Sequence, residues 1–358
     1  MSASGAPARP AAIVTADALR RFAAGVFERA GMNDGDAGTV ADVLVWANLR
    51  GVDTHGVTRI PRYVNLIETG DMNPQPAIAL RKETPASVLI DADRAAGPVA
   101  MMRAKAEAAG KARNSGIGLA LVRATTHTAA LGYYTSAAAR EGMAAIALSA
   151  SWPNMAYHGA RAAGVSTSPI SIAVPDSKKD ALLLDMGTGV VSMGRLTQAK
   201  KTGAAIPAGW ALDKDGNPTT DAQAAEIPLP MAGAKGSGLA LMIECITSLI
   251  VSNPLIAEFI EGTAEGRRHR QNGLFIAIDI ARFGDPDAFR NEVERLVKAV
   301  KSLPADADSA EILMPGERGR RSFERRSREG IPIPPAILNE LQALAKQLGI
   351  ALFPFRPG

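Results

Sequence analysis

The chain has 358 residues, 47% hydrophobic, 21% charged and only 4% aromatic, with a formal net charge of +4 and one cysteine. That length and apolar content allow a sizeable core and two or three domains, and they exclude a disordered or solvating polymer. The single cysteine excludes a disulfide framework and a cysteine zinc site, and scarce aromatics argue against a stacking platform for single-stranded nucleic acid.

Residues 1–14 read as a flexible leader, since Met1 to Pro10 is small and polar without the apolar segment of a signal peptide. Thr15 is placed to cap a helix that carries Leu19, Phe22, Ala23 and Val26 on one face. A second helical pattern, Ala37, Val40, Val43, Leu44 and Ala47, ends near Gly51. His55 falls in a short irregular stretch before Pro61, and Ala95 to Asn114 reads as a further helix.

From Gly116 the texture changes. Strand-length apolar runs occur at Leu119–Val122, Ala144–Ala150, Ile170–Pro175, Ala181–Asp185, Leu274–Ile280 and Glu311–Met314, each bounded by glycine, proline or polar residues. Between them lie helical patterns at Ala130–Glu141, at the all-round apolar Leu239–Val251, where Cys245 reads as a buried small hydrophobe, and at the amphipathic Asp285–Leu303. Asp213 to Pro218 is strong turn chemistry, and a last helix, Pro335–Leu348, carries Ile337, Leu341, Leu344 and Leu348 on one face. The reading is an α/β chain in three parts: the leader, a helical part over 15–115 joined by 330–358, and a central sheet domain over 116–329. No window reaches the roughly 18 apolar residues of a membrane span, so a soluble cytoplasmic protein is expected. The basic clusters Arg267–Arg270 and Arg318 to Arg328 have acids nearby and no flanking aromatics, so they read as solvated faces and no nucleic-acid partner is expected.

Five spots offer chemistry. His55 lies four residues before Arg59 in a glycine-punctuated segment. A histidine titrates near neutrality and an arginine fork matches a carboxylate, so the pair suggests a grip on an acidic small molecule and a proton moved on it; a helix-surface pair is the bland alternative. His127, after one strand candidate and before a helix candidate, is placed either for proton transfer or for a structural hydrogen bond. Asp185 to Gly189 ends another strand with a carboxylate and backbone N–H groups suited to a ribose or phosphate, or forms a plain turn. Gly233 to Gly238 opens the most apolar helix and makes an anion cradle to which Lys235 adds charge. Pro315 to Arg318 is a ligand-facing turn or merely a loop. No Gly-x-Gly-x-x-Gly, P-loop, nucleophile elbow or His-Glu-x-x-His occurs, so an ordinary Rossmann site is not expected.

These pieces together resemble the non-Rossmann malate/L-lactate dehydrogenase family. The matching segments are Leu49 to Tyr63, Thr126-His127 with Gly132-Tyr133-Tyr134, Thr167 to Ile170 and Asp185 to Thr188. They continue with Ile206 to Ala211, Pro218 to Asp221, Lys235 to Ala240 and Pro315 to Glu317, in family order over about residues 15–350. The resemblance implies the family's non-Rossmann α/β fold with a large mixed sheet, a homodimer, and metal-free hydride transfer between NAD or NADP and a 2-hydroxy or 2-oxo acid. Alternatives are a cyclic 2-imino acid, whose activated cation favours an acid such as Asp53 or Asp185, or a non-catalytic relative that binds a metabolite. The resemblance makes His127 the proton donor and acceptor, moves His55 to a supporting place in the substrate pocket and gives the carboxylate to Arg59. It assigns dinucleotide contacts to Ser151, Asp185, Met186, Gly187, Lys235, Glu317, Arg318 and Gly319. Thr54, Thr128, Ala129, Ser237 and His158-Gly159-Ala160 depart from the usual family residues, so the substrate is not named by the resemblance; His158 reads as a surface histidine or a pocket contributor.

Overall fold

The computed structural model describes residues 12–177, 180–263, 266, 268–306 and 311–358. Residues 1–11 of the expected leader and Arg267 of the first basic cluster lie outside the described residues. The chain forms two compact units, Met1–Gln75 with Glu317–Gly358, and Pro76–Gly316.

The first unit is mainly helical. It opens with β1 (Ala12–Val14), α1 (Ala16–Arg29), α2 (Asp34–Leu49) and α3 (Ile60–Glu68). Thr15 caps α1 as expected, its hydroxyl accepting from the Ala18 N–H, and Leu19, Phe22, Val26 and Phe27 are buried on one face. Each such side chain contributes on the order of 1.5–3 kcal/mol of burial. α2 is buried nearly all round, with Asn33 as its N-cap.

The second unit runs through β2 (Ala79–Glu83), β3 (Ser87–Asp91), α4 (Gly97–Ser115), β4 (Ile117–Thr125), α5 (Gly132–Arg140), β5 (Met143–Ser151), β6 (Met155–Ala156), β7 (Ala163–Val165), β8 (Ile170–Pro175) and β9 (Ala181–Met186). It continues with α6 (Met193–Thr202), β10 (Ala211–Leu212), β11 (Pro218–Thr219), β12 (Ile227–Pro228), α7 (Ala234–Glu244), α8 (Ile256–Glu261), β13 (Gln271–Asp279) and α9 (Pro286–Lys301). Seven strands form one mixed sheet in the order β2-β3-β4-β13-β5-β8-β9. β3 and β4 are parallel, joined through α4, and all other neighbours are antiparallel. Residues 79–115, grouped with the N-terminal helices on sequence, thus give two strands and a helix to this unit. The chain then returns to the first unit with α10 (Glu317–Glu329), β14 (Ile331–Ile333), α11 (Pro335–Leu348) and β15 (Arg356–Pro357). Residues 12–14, read as the end of a leader, form a strand between β14 and β15, as the β-prone Ala-Ile-Val run allows.

Three further expectations change. Glu311–Met314 is not a strand; Pro315 instead accepts one hydrogen bond from Leu183 N–H, 3.3 Å. Leu239–Val251 is not one α-helix, because α7 gives way to a π-helical turn over Cys245–Leu249. Cys245 is half-buried rather than enclosed, since that turn lies at the surface, with Met242 and Ile250 exposed. Among the described residues no helix is long and apolar enough to cross a membrane.

Candidate active site

In the helical unit, Asp53–His55 and Val57–Arg59 are two single 3₁₀ turns joined at Gly56. Asn48, from the end of α2, holds this hinge. Its Oδ1 accepts the Val57 N–H at 2.8 Å and its Nδ2 donates to Asp53 Oδ1 at 2.6 Å. Gly56 is required there, because a Cβ would lie 2.1 Å from Asn48 Oδ1. Arg326 of α10 closes the other side with a fork on Asp53, 2.7 and 3.1 Å, and also donates to the Asn48 carbonyl. Asp53 is therefore neutralised by a fixed arginine.

The turns display His55 and Arg59. Burial first, then the Arg59 charge, lowers the His55 pKa from 6.5 to about 4, so the half-buried ring is neutral at physiological pH. Its Nδ1 is 3.0 Å from the Thr54 hydroxyl. Arg59 is half-buried and its Nε donates to the Thr54 carbonyl at 2.6 Å. Its two terminal nitrogens make no hydrogen bond or ion pair among the described residues, which leaves the carboxylate-matching edge of the fork open. Burial pulls its pKa down somewhat, yet a guanidinium remains a cation. Tyr63, fully buried on α3, has its pKa pushed up by burial and stays a neutral phenol.

In the same unit Glu317, Arg318 and Gly319 form the first turn of α10, where the buried Glu317 carboxylate accepts from Arg321 at 2.6 Å. Of the cluster read as a solvated face, Arg321 is exposed, whereas Arg326 is largely buried on Asp53.

In the sheet unit the strand directions decide what meets. β13 is antiparallel to both β4 and β5, and β8 is antiparallel to both β5 and β9. Hence β4, β5 and β9 point the same way, and their C-terminal ends share one sheet edge. His127 lies just past β4, Ser151 ends β5, and Asp185–Gly187 ends β9. Thr125 and Ser151 are each the register partner of Gln271, so two strand spacings, roughly 10 Å, separate them. Lys235 is brought to this edge by the segment before α7: Met231 N–H donates to the Thr188 carbonyl at 2.9 Å and Gly189 bridges Pro230. The sheet unit thus gathers His127, Ser151, Asp185–Gly187 and Lys235, while His55, Arg59 and Glu317–Gly319 belong to the helical unit.

The neighbours of His127 are locked. Thr125 and Thr126 hydroxyls donate to the Ala95 carbonyl at 3.0 and 3.1 Å, and Tyr134 OH donates to the Thr128 carbonyl at 2.7 Å. α4 begins so close that a Cβ on Gly97 would meet the His127 carbonyl oxygen at 2.2 Å. The His127 side chain stays half-exposed between buried Thr126 and Thr128. Asp185 Oδ2 accepts the Gly132 N–H at 2.8 Å and so caps α5. Lys235 is exposed in the first turn of α7, where the helix dipole favours an anion, while its own N–H and that of Gly236 donate to the Ala232 and Met231 carbonyls at 3.4 and 3.0 Å. Beside it His158 lies at the surface against Gly233. An exposed cation on a helix N-terminus and a strand-end carboxylate fit the pyrophosphate and ribose of a dinucleotide. The departing residues Thr128 and Ser237 turn their hydroxyls into packed protein, toward Ser149 and the Gly233 carbonyl. Asn48, Arg326, Gln271 and Asn272 were not singled out from sequence; two polar residues opening an otherwise apolar strand were the only signal for the last pair.

The chain matches the family described as malate/L-lactate dehydrogenase over residues 14–342. It is 36% identical to the malate dehydrogenase of Pyrococcus horikoshii over 347 residues, covering 94% of this chain and 96% of that one. The solved structure of that enzyme superposes with a TM-score of 0.86 at 33% identity, covering 95% and 97%. The ureidoglycolate dehydrogenase (NAD(+)) of Escherichia coli is 30% identical, covering 85% and 88%. A (2R)-3-sulfolactate dehydrogenase (NADP(+)) of Chromohalobacter salexigens is 31% identical, covering 90% and 95%.

Proposed function

The chain belongs to the malate/L-lactate dehydrogenase family and is an NAD(P)-dependent oxidoreductase, and on that premise we propose that it interconverts a small 2-hydroxy acid and its 2-oxo acid in the cytoplasm. Arg59 holds the substrate carboxylate and His127 exchanges a proton with the substrate oxygen. His55, neutral, offers a hydrogen bond without adding charge. Lys235, Ser151, Asp185–Gly187 and Glu317–Gly319 hold the dinucleotide. Bound NAD(P) supplies the hydride acceptor or donor. Removing a hydroxyl proton while the hydride leaves the adjacent carbon calls for a base poised near neutrality, and an imidazole meets that need. A two-pronged grip on the carboxylate orients the reacting carbon.

The observation that carries this reading is Arg59, half-buried, tied by Nε to the Thr54 carbonyl and with the open edge of its fork unpaired among the described residues. It favours an anionic acid. A cyclic 2-imino acid would offer Arg59 the same carboxylate, and its cation wants a nearby acid; of the two named for it, Asp53 is bound by Arg326 and Asp185 Oδ2 accepts the Gly132 N–H. Exposed Leu241, Met242, Leu249 and Ile250 on and just after α7 support a second copy of the chain as partner, which light scattering in solution tests.

The deciding experiment measures NADH and NADPH oxidation against a panel of 2-oxo acids and cyclic imines. Turnover on a 2-oxo acid is expected; turnover on imines alone, or tight cofactor binding with none, refutes the reading. His127→Ala should lower turnover about 100-fold or more with cofactor binding nearly intact, and unchanged turnover removes His127 from the reaction.

A further inference from the structure

A β-bulge tied to a buried polar chain closes β4 three residues before His127. Along the β4–β13 pair, Gln271 is opposite Thr125 but Gly273 is opposite Val122, so Arg123 and Ala124 together face Asn272. Ala124 has φ +55° at this bulge, where a strand is twisted and its next side chains re-aimed. The Asn272 side chain supplies the pairing that the ladder loses there: its Oδ1 accepts the Ala124 N–H at 3.1 Å.

Every hydrogen-bonding position of that amide is engaged. Oδ1 also accepts from Asn253 Nδ2 at 2.7 Å, and Nδ2 donates to the Ser248 hydroxyl at 3.0 Å and the Asn253 carbonyl at 2.9 Å. The Ser248 hydroxyl donates to Glu244 Oε2 at 2.7 Å. The other Glu244 oxygen accepts the Leu255 and Ile256 N–H groups at 2.7 and 3.2 Å. Asn272, Ser248 and Glu244 are all buried, so each unmade bond would leave a costly orphan. On the other side of His127, Gln271 Oε1 accepts the Thr128 N–H at 3.3 Å and faces the Ser149 hydroxyl at 3.4 Å. The peptide that follows His127 and the Ala124 N–H three residues before it are thus held by consecutive side chains of β13.

We infer that Asn272, backed by Ser248 and Glu244, and Gln271 are positioning residues that fix the aim of the His127 imidazole through the bulge at Ala124 and the Thr128 peptide. The inference rests on the proposed proton exchange at His127 for its effect on rate, but not for its effect on the ring. An apolar strand has no folding need for this chain of buried polar groups, whereas a base that meets its substrate within a hydrogen bond does.

The test uses the whole enzyme with 13C-labelled histidine. The chain has four histidines, so the His127 ring signal is identified by its loss in His127→Ala. Asn272→Ala and the milder Ser248→Ala should shift or broaden the His127 signal and move its titration, leaving the His158 signal in place. Gln271→Leu, on a half-exposed side chain whose loss opens no core cavity, should do the same, and Gln271→Glu, which keeps the acceptor, should leave the signal sharp while its added charge raises the titration. Asn272→Ala and Gln271→Leu should lower kcat about 10- to 100-fold, displace the pH profile of kcat/KM, and leave KM for NADH or NADPH within about twofold. An unmoved His127 signal in Asn272→Ala and Gln271→Leu overturns the inference whatever the rates do. A moved signal with unchanged kcat, while His127→Ala is inactive, also overturns it. A moved signal with fully active His127→Ala supports the positioning and removes the proton role instead.

Discussion

Gly56→Ala probes the hinge that presents His55 and Arg59. The clash with Asn48 sets the cost there. The new Cβ would lie 2.1, 2.4 and 2.6 Å from Asn48 Oδ1, Cγ and Nδ2, so the whole amide must leave. Two hydrogen bonds go with it. The one to the Asp53 carboxylate is worth about 1.5–3 kcal/mol, and stranding the buried Val57 N–H costs about 1–3 kcal/mol. A loss of about 2.5–6 kcal/mol follows, which at roughly 2 °C per kcal/mol lowers Tm by about 5–12 °C. Calorimetry on Gly56→Ala, Asn48→Ala and the double variant measures it. Asn48→Ala removes the same bonds and vacates the space, so the double should be no less stable than Asn48→Ala alone, a coupling of about 2 kcal/mol or more. A Gly56→Ala protein within about 0.5 kcal/mol of wild type, or costs that simply add, refutes this account of the hinge.

Arg59→Lys should raise KM for the acid about 10- to 100-fold with a smaller change in kcat, because an ammonium cannot reproduce the fork; an unaltered KM takes the carboxylate away from Arg59. Lys235→Ala should weaken NADH or NADPH binding about 3- to 10-fold, and superimposable titration curves end that assignment. His55 binds its proton more weakly folded, at about pH 4, than unfolded, at 6.5. The unfolded chain therefore gains protons first as pH falls, and stability is lost between about pH 6.5 and 4, by up to about 3 kcal/mol. Tm measured from pH 7 to 4.5 should fall less steeply in His55→Gln than in wild type; parallel curves count against the buried neutral imidazole.

Local signals in the sequence were enough for the elements that a short window encodes. Thr15 as a cap, the one-faced pattern of α1, and the apolar runs that became β4, β5, β8, β9 and β13 each depend on spacing within a few residues. The histidines were visible because the chain has only four, and Arg59 and Lys235 through their spacing from His55 and among the glycines of 233–238. Distant pairings were not legible. β1 lies between strands from the far end of the chain, and the short strands β2 and β3 carry no strong alternation, so their place was fixed by partners rather than by propensity. The break of α7 into a π-helical turn follows buried Glu244 and Ser248, whose bonds to residues 253–272 no window contains.

By itself, then, the sequence determined which side chains are candidates for the chemistry and which family the chain belongs to, since chemical identity and local order are written residue by residue. Tertiary structure decided what each group is able to do. Arg326, far along the chain, turns Asp53 from a candidate acid into a neutralised brace; burial beside Arg59 takes the charge from His55; antiparallel pairing carries His127, Ser151 and Asp185 to one sheet edge. The physical reason is common to all three: hydrogen bonding, desolvation and strand direction depend on neighbours in space, and folding chooses those neighbours from anywhere in the chain.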